Sequence, residues 1–84
     1  MNPRFRTAIA SDVDHDDLVG EIYFDDQIVC VLTRGRHPGA IDLELVPKGN
    51  RESWVFELSE IEEVLDEVKE RLVELWGTRA KSSN

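Results

Sequence analysis

Residues 12–17 read Asp-Val-Asp-His-Asp-Asp, which places four carboxylates and one imidazole within a short stretch. Carboxylates at alternate positions can converge on one hard cation, and the run opens like a calcium-binding loop. The match then breaks. Asp17 stands at the sixth position, where the sharp turn needs Gly, and Tyr23 at the twelfth, where a bidentate Glu is required. The run therefore reads as a solvated acidic linker, with a weak divalent site as the competing chemistry.

His15 and His37 are the two imidazoles, and neither has a second His at helix or hairpin spacing to share a transition metal. Arg34, Gly35, Arg36 and His37 form the one basic cluster. Two guanidiniums on a Gly-containing loop suit a phosphate or carboxylate ligand. The acids of 12–17 are a nearer partner, and internal charge compensation is the expected use. Cys30 is the only cysteine, so no intrachain disulfide and no cysteine-based zinc site can form. It lies between Val29 and Val31 with no base in a linked motif, which describes a buried inert thiol rather than a nucleophile. No catalytic, cofactor-binding or metal residues are assigned. An enzyme is not expected, because general acid-base chemistry needs a water-excluding pocket that 84 residues rarely enclose.

The elements that would position these groups follow from hydrophobic spacing. Residues 18–24 alternate as a strand, with Leu18, Ile22 and Phe24 sharing a parity with Gly20. Asp25 and Asp26 mark a turn, and 28–33 is apolar on both parities, as central strands often are. Ile41, Leu43 and Leu45 alternate with Asp42 and Glu44 across 40–46, and Trp54, Phe56 and Leu58 alternate with Ser53, Val55 and Glu57 across 52–58. Residues 4–10 allow a fifth strand, with Phe5, Thr7 and Ile9 on one side.

The last third is helical. Ile61, Val64, Leu65, Val68, Leu72, Leu75 and Trp76 form one stripe, and acids fill most of the remaining surface. Ser59 with Glu62 matches a capping box, and Gly77 stands where a left-handed C-cap belongs, so the helix is predicted over 60–76. Trp76 is expected to fill the gap between helix and sheet. Residues 78–84 read as a disordered polar tail. The fold class is thus α+β in one domain over 1–77. A four-stranded antiparallel meander, or a five-stranded one if 4–10 pairs, carries a long C-terminal helix on one face.

One helix covers one face. The other face is expected to hold Tyr23, Val29, Val31 and Val55 within an acidic margin, and these residues form the predicted self-interface of a homodimer. The parity of 28–33 is open, either Val29 with Val31 or the set Ile28, Cys30 and Leu32 lying under the helix. The formal net charge of -8 excludes nucleic acid and anionic membrane as natural partners. It suits capture of a basic protein through Glu63, Glu67, Glu70 and Glu74 on the outer helix face, as an acidic inhibitor would present carboxylates to a cationic site. A cytoplasmic, non-catalytic interaction module without cofactors is the expectation. The alternatives are an inhibitor of a basic toxin or nuclease, and a small enzyme or metal-dependent domain.

Overall fold

The computed structural model describes residues 3–11, 17–37 and 39–82. It contains strands β1 (Phe5–Ser11), β2 (Leu18–Phe24), β3 (Gln27–Arg34) and β4 (Ile41–Leu45), followed by one helix, α1 (Leu58–Ser82). The strands form a single antiparallel sheet in the order β1-β2-β3-β4. The α+β architecture is as expected, but its membership differs at both ends of the chain.

The N-terminal segment is a full strand, paired with β2 from Phe5 opposite Phe24 to Ser11 opposite Leu18. Residues 52–57, expected as a strand, belong instead to an irregular crossing over 46–57. The physical reason lies in Gly49, Asn50 and Arg51, which take left-handed φ values of 100°, 51° and 60° in succession. They turn the chain away from β4 before a hairpin can pair. Trp54 and Phe56 still point inward. Phe56 joins Phe5 and Phe24 in an aromatic cluster with ring centroids about 5 Å apart, and Trp54 Nε1 donates to Val46 O at 2.9 Å.

β2 and β3 join through Asp25 and Asp26, with φ values of 49° and 64°. Positive φ at both central residues is the two-residue turn that matches strand twist. Beyond it, Ile22 opposes Cys30 while Tyr23 opposes Ile28, so Val29 is an extra residue on β3. This bulge turns both Val29 and Cys30 into the core. Neither of the two open sets lies whole under the helix, because Ile28 stands opposite Tyr23. Cys30 and Leu32 face α1, Val31 faces away, and Val29 is carried across with Cys30.

α1 begins at Leu58, ahead of the expected cap. The Glu57 carbonyl accepts from Glu60 N–H (3.1 Å) and Ile61 N–H (3.2 Å), so Glu57 caps the helix. Ser59 lies inside the first turn, where its hydroxyl donates to Glu57 Oε1 at 2.7 Å instead of closing a box with Glu62. Gly77 does not end the helix, which runs on to Ser82 through part of the stretch expected to be disordered. Val64, Val68, Leu72 and Trp76 form the buried ridge, and Trp76 Nε1 donates to Leu18 O at 2.9 Å, pinning the helix to β2.

Gly20 on β2 determines where α1 sits. A Cβ there would lie 2.3 Å from Val68 Cγ1 and 3.0 Å from Leu72 Cδ1. The ridge drops into the space that this missing side chain leaves, so α1 packs on β2 and then on β1.

Candidate functional site

Seated over β2 and β1, α1 leaves the helix side of β4 uncovered. Leu43 is 47% exposed and Leu45 72%, although both point to the side that carries the core. On the opposite bank Val73 of α1 is 51% exposed. Between the banks runs an apolar groove. One part of it has a volume of about 410 Å³ and is lined by Val29, Cys30, Leu45, Trp54, Ile61 and Leu65 among others. It continues past Ile41, Leu43 and Lys69 and ends beside Arg34, Val73 and Trp76. Arg34 closes that end, held by Asp17 Oδ2 at 3.0 Å with its guanidinium 5.6 Å from the Trp76 ring centroid. The basic cluster thus has an internal acidic partner at Asp17, while Arg36 and His37 remain exposed.

β4 is also an edge of the sheet. The Val46 N–H bonds Val29 O at 2.9 Å and the Gly35 N–H bonds Ala40 O at 2.8 Å, which sets the phase of the ladder. Even-numbered residues of β4 turn their backbone toward β3, and Ile41, Leu43 and Leu45 turn theirs outward. The residues with outward N–H and C=O groups are therefore the ones whose side chains border the groove.

The four residues expected to form the open face do not make one patch. Val29 is 4% exposed and packed in the core, because of the bulge. Val55 is 85% exposed, but it lies on the irregular crossing rather than on the sheet. Tyr23 and Val31 do face away from α1, and both are half-buried. The Arg6 guanidinium lies 4.5 Å from the Tyr23 ring centroid, and the Tyr23 hydroxyl donates to Glu21 Oε1 at 3.2 Å. Partial burial, with the Glu21 charge second, holds the Tyr23 phenol above its usual range. Val19 and Thr33 are buried on this face as well. Glu63, Glu67, Glu70 and Glu74 share an exposed side of α1.

Cys30 is buried at the floor of the groove, and desolvation pushes its thiol up to about 11. A thiol held protonated is no nucleophile. Among the described residues no group of three or more His, Cys, Asp or Glu side chains gathers for a metal ion. His15 and the acids at positions 12, 14 and 16 lie outside the described residues. Among the described residues no helix is long and apolar enough to cross a membrane.

The groove escapes the sequence reading, in which the alternation of Ile41, Leu43 and Leu45 marks one strand of the sheet that carries the helix. The available signal was Gly20, the one residue of β2 without a side chain. Comparison with protein-family profiles, with curated proteins and with solved structures finds no match for this chain.

Proposed function

We propose that this chain is a non-catalytic protein-interaction module that docks a partner segment in the groove between α1 and β4. The observation that carries this reading is the exposure of Leu43 and Leu45 on an unpaired edge strand beside an apolar groove. Exposed apolar surface of this kind marks interaction sites more often than scattered leucines do. A homodimer through the far face of the sheet has weaker support, because Tyr23 and Val31 alone remain of the residues that would build it. The acids of α1 and the net charge of -8 favour a basic partner over an acidic one.

The test is a titration of the isotope-labelled chain with synthetic peptides of about twelve residues in four classes, alongside a self-dilution series. The peptide classes are helical amphipathic, proline-rich, and extended with alternating apolar and either basic or acidic residues. Shifts at Leu43, Leu45, Ile61 and Leu65 that disappear in a folded Leu43→Ser/Leu45→Ser variant support docking in the groove. If every probe and the self-dilution leave those residues unmoved, or if binding survives the double substitution, the reading fails.

A further inference from the structure

We infer that the groove takes an extended segment that joins the sheet beside β4, with apolar residues facing α1 alternating with Lys or Arg on the far face. This rests on the docking reading and names its occupant. The first support is the backbone. Ile41, Leu43 and Leu45 present outward N–H and C=O groups, and among the described residues no backbone bond closes that edge. An added strand would pair with them as it would with a strand of the same sheet. Every second residue of that strand would then enter the groove between Leu43 and Leu65, where apolar side chains are needed.

The second support is charge. Asp42 and Glu44 point to the far face, and neither has an ion-pair partner among the described residues. Their neighbours across β3 are Thr33 and Val31, and Glu21 lies one strand further in, beside Val31. An incoming strand would set two of its residues directly opposite Asp42 and Glu44, where opposite charges attract and like charges repel.

The same pattern opposes pairing of β4 with β4 of a second copy. Two β4 edges related by a two-fold axis normal to the sheet keep their helices on one side and can share three or more β4 residues in three ways. With Leu43 opposite Leu43, each Asp42 meets Glu44 of the other copy. Shifting the register sets Asp42 against Asp42 or Glu44 against Glu44. Every arrangement pairs acid with acid, and the net charge of -8 on each copy adds to the repulsion. Edge strands are commonly protected from self-pairing by charge, and here the chosen sign still admits a basic strand.

The experiment uses the full chain and two extended peptides of about twelve residues, one alternating Val or Ile with Lys, the other alternating them with Glu. The Lys peptide is expected to bind, to slow hydrogen exchange at the Ile41, Leu43 and Leu45 amides, and to bind roughly tenfold more tightly than the Glu peptide. N-methylation of the peptide amides that face β4 should abolish binding, and methylation of the alternate amides should not. The folded Asp42→Asn/Glu44→Gln variant should narrow the Lys-over-Glu preference to below about threefold. Equal affinity for the two peptides, or exchange at the three amides that stays fast, overturns the inference. If a helical or proline-rich peptide, or a second copy, shifts Leu43 and Leu45 more strongly, docking in the groove stands and the strand is refuted. If nothing shifts them, both fail.

Discussion

Replacing Gly20 with Ala tests why the helix sits where it does. The new Cβ would stand 2.3 Å from Val68 Cγ1 and 3.0 Å from Leu72 Cδ1, against a normal carbon separation of about 3.5–4.0 Å. Val68 and Leu72 are fully buried, and a β-branched Val in a helix has essentially one rotamer, so neither side chain can swing aside. Overpacking of this kind costs about 1–3 kcal/mol. Ala is better than Gly in a strand by roughly 0.5–1 kcal/mol, which offsets part of it. The net expectation is a loss of about 1–2 kcal/mol, or a fall in Tm of roughly 5–15 °C for a domain this size. Urea unfolding followed by Trp54 and Trp76 fluorescence measures it. Val68→Ala alone should cost about 2 kcal/mol from lost burial and a cavity. In that background the obstructing methyl is gone, and Gly20→Ala should become neutral or stabilising, a coupling of about 1–2 kcal/mol. A Gly20→Ala cost that is the same in both backgrounds, or below about 0.5 kcal/mol in the parent, refutes the seating argument.

The burial assigned to the two sides of the groove separates Leu45→Asp, expected to cost under about 0.5 kcal/mol, from Val29→Asp, expected to cost about 3 kcal/mol or more, by urea unfolding. Gly77→Ala should stabilise by about 0.5–1 kcal/mol, because the helix continues through a position where an added Cβ meets nothing; a loss of stability would restore the left-handed cap. Cys30 should resist thiol reagents at pH 8 until the chain unfolds. Its folded pKa of about 11 lies above the unfolded value near 9, so the unfolded thiol ionises first and stability should fall as pH rises between the two. Cys30→Ala should remove that component of the decline, which a comparison of the two stability–pH curves would reveal.

Local patterns carried most of the fold. The three-and-four spacing of Val64, Val68, Leu72 and Trp76 locates α1, strict alternation locates β4, and a looser alternation locates β2. Alternation failed at 52–58, because Trp54 and Phe56 alternate toward the core without a ladder, and the left-handed run at Gly49, Asn50 and Arg51 is a backbone property that apolar spacing does not record. The double apolar parity of 28–33 leaves the facing residues ambiguous in sequence and is the mark of the bulge, since Val29 and Cys30 are both buried.

The groove depends on geometry beyond the reach of any local window, yet its existence follows from widths alone. A helix is about 10–12 Å across with its side chains and strands lie about 4.8 Å apart, so one helix covers two strands well and four poorly. A four-stranded sheet under a single helix must leave apolar strand surface exposed, and only its location is undetermined. Gly20 puts α1 over β2, the cover extends to β1, and the deficit falls on β4. The alternation of Leu43 and Leu45 with Asp42 and Glu44 looks from sequence like an ordinary half-buried strand. On an uncovered edge the same alternation becomes a recognition pattern, apolar toward the groove and acidic toward the far face, because the helix that should have completed the leucines' burial is seated two strands away.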